Sequence, residues 1–542
     1  MNLVKFLFRS SRRLMLTALV IGLLSGSSSA GLIALISYAI ANFSVTPPLY
    51  LIVGFMGLAL TALFTSWLVR VILIRLSTEA VFQLQMSLSR QILASELTYL
   101  EQTGSSQLLA ALTDDIQAIA DAVYILPFLG INLAIIIGCF VYIAWLSWQF
   151  FLIVSSLSFL TVFAFRFLLK RGQKLLKEAR EDRDLLFEDF RTLTQGIKEL
   201  KLHQQKRLDF LQEDLRNNAS RFRRHSIEGL SILAFTDSIG KFVFFWAIGL
   251  VLFIIPHFIT LSPVTLSSYV LTYTYLLGPF ENIVNKLPII TKADVALQKL
   301  KMLGLSLSNN AEEIITNQQN VNLDWQQLKL KEITHIYSGE LEDTHFTLGP
   351  INLEFKAGEI VFIIGGNGSG KSTLAKIITG LYTPDSGEIW LDKEMINTNN
   401  REWYRQHFAV IFSDFYLFNR LLGIDIGNIN NKIKYYLKLF NLEHKVKVNS
   451  GRFSTTALSQ GQRKRLALLT VYLEERSIYL FDEWAADQDP TFKNILYTEF
   501  LPQLKKQGKL ILAITHDDRY FSVADRIIKL NSGQIEYDQE RV

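Results

Sequence analysis

The sequence predicts a six-helix α-helical transmembrane domain followed by a cytoplasmic α/β P-loop domain. Three observations carry that expectation. Long uncharged tracts are confined to the part before about residue 290. Basic residues flank those tracts in an alternating pattern. Beyond about residue 325 the chain reads as an α/β domain, and its residues 365–372, GGNGSGKS, fit G-x-x-x-x-G-K-S between an apolar run and a helical one. Composition agrees: 49% of the 542 residues are hydrophobic and 19% charged, with a mean hydropathy of +0.23. Soluble chains carry more charge than this. A net charge of +5 is small for the length and argues against a nucleic-acid partner. One cysteine, Cys139, excludes an intrachain disulfide framework and a cysteine-ligated zinc cluster.

Residues 14–41 and 49–69 carry no charge, nor do residues 122–165 or 242–280. A helix needs about 20 apolar residues to cross a bilayer. The longer two tracts therefore hold two spans each, with turns near Ser147 and at residues 256–263. The expected spans are 14–41, 49–74, 122–146, 149–169, 238–257 and 264–284, within a domain of residues 1–308. Arg12 and Arg13 precede the first span, Arg70 and Arg75 follow the second, and Lys170 and Arg171 follow the fourth. Lys286 and Lys292 follow the sixth. The three intervening loops have no Lys or Arg. Positive-inside then puts both termini and two long loops, about 74–121 and 169–240, in the cytoplasm.

A basic start and small residues at 27–30 also suit a signal peptide. Apolar sequence continues past Ala30, however, and an uncleaved first span is the better reading. Gly22, Gly26 and Ala30 form a small-residue packing stripe. Both long loops have helical spacing and extend the spans into the cytoplasm. The first breaks at residues 104–106, which predicts a short transverse element. The dense charge at 199–224 reads as a solvated helix face. The sixth span is polar, with Tyr269, Thr272 and Tyr273 among its hydroxyls. Hydrogen bonds between helices account for such a face. The sharper expectation is a substrate-lining wall suited to an amide-rich, amphipathic ligand.

After an Asn/Gln-rich linker at 309–324, the second domain occupies 325–542. Its P-loop comprises Gly365, Gly366, Asn367, Gly368, Ser369, Gly370, Lys371, Ser372 and Thr373. Glycines let successive backbone N–H groups curl around an anion, and the helix start adds positive charge. Lys371 reaches toward the β/γ-phosphates and the Ser372 hydroxyl toward Mg²⁺. Leu458, Ser459, Gln460, Gly461 and Gln462 form LSQGQ before a helix, a second anion site. The apolar run 477–481 ends in Asp482, a second metal-holding residue, and Glu483, which polarises the attacking water. Asp489 follows. His516 ends another apolar run and places an imidazole at a strand tip. Tyr337 is a candidate for stacking on adenine, or else a core tyrosine.

These motifs in this order resemble the ATP-binding cassette (ABC) family, over essentially the whole chain. The likeness implies an exporter-type transmembrane domain followed by an ABC ATPase, with LSQGQ as signature, Asp482–Glu483 as the end of the Walker B strand, Asp489 as the D-loop aspartate and His516 as the switch histidine. Residues 481–490 (FDEWAADQDP) and 515–521 (THDDRYF) look like the cyclic-peptide transporter branch, as does LEQTGSSQLLAALTDDI at 100–116, its first coupling loop. Trp484 and Ala485 stand where most cassettes have Pro-Thr. Members of that branch export modified or cyclic peptides and siderophore precursors across the bacterial inner membrane. The resemblance implies ATP and Mg²⁺ as cofactors. It implies membrane lipid, a peptide-like small substrate and a second copy of the chain as partners, and no nucleic acid. One departure stands at the Q-loop position, where Ser413 replaces the expected Gln with Asp414 beside it. Serine is too short to reach both metal and water, so either Asp414 substitutes or the link to the membrane domain is altered.

Other readings of the same architecture are a lipid flippase, a multidrug exporter, or an ATP-gated channel or regulatory membrane ATPase that pumps nothing. Glu483 and His516 favour true turnover over the last two. Six spans exclude a soluble cassette acting on DNA. A peptide-cleaving exporter needs an added N-terminal protease domain, and 13 residues precede the first span.

Overall fold

Apolar runs continued by polar residues at helical spacing give rods that outrun a bilayer, and the first half of the chain is built of them. The computed structural model describes residues 12–41, 48–254, 257, 263–309, 324–338, 345–427 and 429–541. The loops expected at 42–48 and 256–263, and the linker expected at 309–324, fall almost wholly outside them. The chain divides into two compact units: Met1–Ser87 with Ala110–Met302, and Leu88–Leu109 with Leu303–Val542.

The long helices are α1 (Arg12–Ala41), α2 (Leu49–Ala94), α3 (Ile116–Leu146), α4 (Trp148–Gln195), α5 (Arg216–Gly249) and α6 (Pro263–Asn309). At 46 residues, α2 is about 70 Å long. That is more than twice the roughly 30 Å hydrocarbon core, so the helix continues well past its span. Among the described residues four stretches are long and apolar enough to cross a membrane: Leu16–Ile40, Leu49–Ala94, Ser105–Leu146 and Gln204–Ile254. The other two expected spans lie within α4 and α6.

The glycine stripe is a helix contact. A Cβ on Gly26 would meet the Ala134 Cβ at 2.6 Å, and one on Gly138 would meet the Ala30 Cβ at 2.8 Å. Small residues thus let α1 and α3 approach closely. Farther along, α4 and α5 are joined by His225 to Asp182, at 2.6 Å, and by Asn218 donating to Asp189, at 2.8 Å.

Side chains on the polar face of α6 meet neighbouring helices and their own backbone. The Tyr269 hydroxyl donates toward the carbonyls of Ile143 and Ser147, at 2.8 and 2.9 Å, holding the end of α3. Thr272 is fully buried and donates to the Ser268 carbonyl. Tyr273 stacks on Phe244 with ring centres 4.1 Å apart. The physical reason is that a buried hydroxyl needs a partner, and backbone carbonyls supply it. Cys139 is buried in the same cluster, as a small hydrophobe.

The second unit centres on a six-stranded sheet of order β12-β11-β3-β10-β9-β6. Its strands are β3 (Ile360–Gly365), β6 (Phe408–Ile411), β9 (Ile478–Asp482), β10 (Leu510–Ile514), β11 (Arg526–Asn531) and β12 (Gln534–Glu540). All pair in parallel except β12, the antiparallel edge. Alternate residues serve two cores: Phe362, Phe481 and Ala513 on one face, Ile363, Leu480 and Leu512 on the other. Burial on both faces makes such strands read as unbroken apolar runs. A four-stranded antiparallel sheet of order β2-β1-β4-β5 contains β1 (Gln327–Ser338), β2 (His345–Lys356), β4 (Ser386–Leu391) and β5 (Glu394–Met395). A two-residue hairpin, β7 (Val448–Asn449) with β8 (Arg452–Phe453), completes the strands.

Candidate nucleotide site

Helix α7 (Lys371–Ile378) follows β3 directly, so the glycine loop is a strand-to-helix turn. Gly365 has φ 152° and its added Cβ would lie 2.3 Å from the Leu530 carbonyl oxygen; Gly370, at φ 98°, would meet Leu348 at 2.8 Å. No side chain fits at either position, and the loop backbone stays bare for an anion. Lys371 is buried and folds over the loop, donating to the carbonyls of Gly365 and Gly366 at 3.0 and 2.9 Å.

The parallel sheet brings Asp482 opposite Ile514, so Glu483 and His516 leave neighbouring strand ends at the carboxyl edge, where open α/β sheets bind ligands. His516 Nε2 lies 3.1 Å from Glu483 Oε1. Asp482 is 1% exposed. Burial pushes its carboxyl up, while the Ser372 hydroxyl, the Ser413 backbone N–H and the Lys371 ammonium pull it down; the Glu483 charge adds to the rise, and the net direction is upward. Its Oδ1 is buried without a hydrogen-bond partner. A buried, unpartnered acceptor beside a serine hydroxyl suits a hard cation. The Ser413 backbone N–H thus meets the Asp482 carboxylate, and Asp414 is exposed.

Ser459 caps α8 (Gln460–Leu473). Its hydroxyl accepts from Gln462 N–H, and the Gln462 side chain accepts from Ser459 N–H. This capping box fixes the signature serine at a helix start. Asp489 caps α9 (Pro490–Ile495), accepting from Phe492 N–H at 3.0 Å. That bond, with Arg465 nearby, holds its carboxyl below the usual range. Tyr337, on β1 opposite Phe346, is 51% exposed, an open ring rather than a core one.

A family model described as ABC transporter matches residues 348–486, and one described as ABC transporter transmembrane region matches residues 14–280. ATP-binding protein SyrD of Pseudomonas syringae pv. syringae is 36% identical over 547 residues, covering 99% of this chain and 96% of that one. This chain belongs to the ABC transporter family. The transporter is 23% identical to an ATP-dependent lipid A-core flippase of Thiobacillus denitrificans, over 84% of its own length and 79% of the relative's. Its fold matches a bacterial Atm1-family ABC exporter with ATP bound at a TM-score of 0.72, with 16% identity and coverage of 98% and 95%. It is an exporter half-transporter, one membrane region and one ATPase domain, and it couples ATP hydrolysis to transport.

Within the transporter's second unit, the break expected at 104–106 is realised at Gly104, φ 80°, between the short helices Leu97–Thr103 and Ser105–Ala110. Glu101 accepts from Lys376 of α7 at 2.8 Å and from the Tyr382 hydroxyl. Glu96 pairs with Arg401 at 3.4 Å, and Leu97 packs against the core beneath the P-loop helix. Burial alone would lower Lys376, but its bonds to Glu101 and Tyr382 outweigh that and raise it. Burial likewise pushes Tyr382 up to about 12. Sequence reasoning marked this segment without finding its partners. A second break, at Gly196 and His203, isolates the helix Ile197–Leu202; Gly196 was its one local signal.

Proposed function

We propose that the transporter works as a homodimer in the bacterial inner membrane, with its ATPase domain in the cytoplasm. On this reading it exports a peptide-like cargo: a cyclic or modified peptide, or a siderophore precursor. The observation that carries the active-exporter reading is the hydrolytic pair, Glu483 and His516, 3.1 Å apart at the sheet's carboxyl edge. Glu483 accepts a proton from the attacking water, and His516 orients it and steadies the departing γ-phosphate. Lys371 exchanges its loop carbonyls for phosphate oxygens. Tyr337 offers its exposed ring to adenine.

Ser372 and Asp482 are the residues that would hold Mg²⁺, which when bound offsets charge building on the phosphates. The chain carries one P-loop and one signature, which supports two composite sites formed by two copies. In each, Ser459 and the start of α8 face the nucleotide of the other copy. Nucleotide drives the cycle because it binds the closed pair better than the open one.

Cargo class rests on the segments 481–490 and 515–521 and on the end-to-end likeness to SyrD. The weaker likeness to a lipid A-core flippase supports a second reading, a lipid flippase. Full-length protein, in nanodiscs for ATPase activity and in inverted vesicles for uptake, separates them. Cyclic peptides stimulate ATPase activity and enter inverted vesicles on the first reading; lipid A does so, and peptides do not, on the second.

A further inference from the structure

Lys464 lies in the second turn of the signature helix α8 and is 4% exposed. A buried ammonium must be paired or it is strongly unfavourable. Its partner is Asp487, 2.7 Å away, in the stretch between the catalytic carboxylate and the D-loop aspartate. The same ammonium lies 3.5 Å from the Glu483 carbonyl oxygen. Trp484, 2% exposed, donates its indole N–H back to the Lys464 carbonyl at 3.1 Å. Residues on either side of Lys464 add another tie: Gln488 accepts from Arg465 and donates to the Gly461 carbonyl.

What these ties hold is a strained residue. Glu483 has φ 48°, a left-handed conformation that a residue with a Cβ disfavours. One side of it is fixed by its N–H donating to the Ile514 carbonyl at 3.1 Å. The other side, its carbonyl, faces Ala486 N–H and the Lys464 ammonium.

We propose that Lys464, through Asp487 and the Glu483 carbonyl, is a positioning residue for ATP hydrolysis. It locks the backbone at Glu483 to the signature helix, so that the carboxylate and the signature serine of one chain move as a single body. In the homodimer the two serve different nucleotides, so the tie carries the state of one site to the other. The proposal rests on Glu483 as the catalytic carboxylate. Trp484 shares the task by closing the apolar side of the tie.

The test uses the full-length transporter in nanodiscs, with steady-state ATPase kinetics and binding of a fluorescent ATP analogue. Lys464→Met removes the charge but keeps the buried stem, and it leaves Asp487 half exposed to water, so the fold is retained. The expected result is a kcat lower by about tenfold or more, with KM for ATP and analogue binding within about twofold. Lys464→Arg restores much of the loss, because Arg keeps the cation. Asp487→Asn, at an exposed position, lowers kcat in the same way. The double variant is no worse than Lys464→Met alone, since both act through one bond.

A wild-type kcat in Lys464→Met and Asp487→Asn overturns the proposal, as do additive losses. So does a loss in KM and melting temperature that Arg does not rescue, which is the mark of packing alone. Glu483→Gln is run alongside. If that variant turns over normally, the catalytic reading itself is at fault. If it is dead while Lys464→Met is normal, the positioning role alone has failed.

Discussion

The Glu101 carboxylate accepts a hydrogen bond from Lys376, 2.8 Å away, across 275 residues of sequence. One residue sits on a seven-residue helix beside the break at Gly104; the other sits on the helix that begins at the P-loop lysine. Tyr382 completes the contact. The helix that starts at the phosphate loop is thus tied directly to the helix Leu97–Thr103.

Glu101→Gln is expected to separate the two halves of the activity. The pair is partly exposed, so its loss costs stability no more than about 1 kcal/mol. Basal ATPase stays within about twofold, while cargo-stimulated ATPase and vesicle uptake fall severalfold. Parallel measurement of the three on one preparation checks this; an equal fall in all three contradicts it.

Gly365→Ala tests the loop geometry. Its Cβ has no space beside the Leu530 carbonyl, and φ 152° is strained for any side chain. A loss of about 2–4 kcal/mol is expected, with ATP-analogue binding abolished. Gly366→Ala, where an added Cβ meets nothing within 4 Å, serves as the paired control and retains more binding.

Glu474 gives a pH dependence. Burial pushes its carboxyl up to about 7 from the ordinary 4.5. The folded state thus holds this proton more tightly than the unfolded state does. Its burial has no cost below pH 4.5, and stability falls as pH rises from there to about 7, then levels off. Glu474→Gln removes that fall. The variant should melt higher than the wild type at pH 8, by on the order of 2 kcal/mol, with the gain vanishing near pH 4. A gain that is the same at both pH values counts against the assignment.

Much of this was legible in the sequence because the signals are local. The P-loop is one contiguous stretch, and its flanking strand and helix announce themselves by apolar runs. The same is true of Asp482 and His516, each at the end of a buried strand. The contacts of Glu101 were not legible. A carboxylate on an exposed helix reads as solvated until the fold brings Lys376 to it. The partners of Tyr269 were not legible either: a hydroxyl inside a span announces a hydrogen bond, and the fold brings this one to the carbonyls of Ile143 and Ser147. Local sequence states that a polar group needs a partner, not which partner it finds. Nothing local marks Lys464, whose burial and bond with Trp484 follow from the fold.

The most direct test of the central account, ATP hydrolysis at Glu483 driving the transport cycle, is the turnover of Glu483→Gln in the reconstituted full-length transporter. The expected outcome is ATPase activity lower by about a hundredfold or more, with ATP still bound and the protein held as a nucleotide-loaded pair of chains. Hydrolysis at the wild-type rate would contradict it.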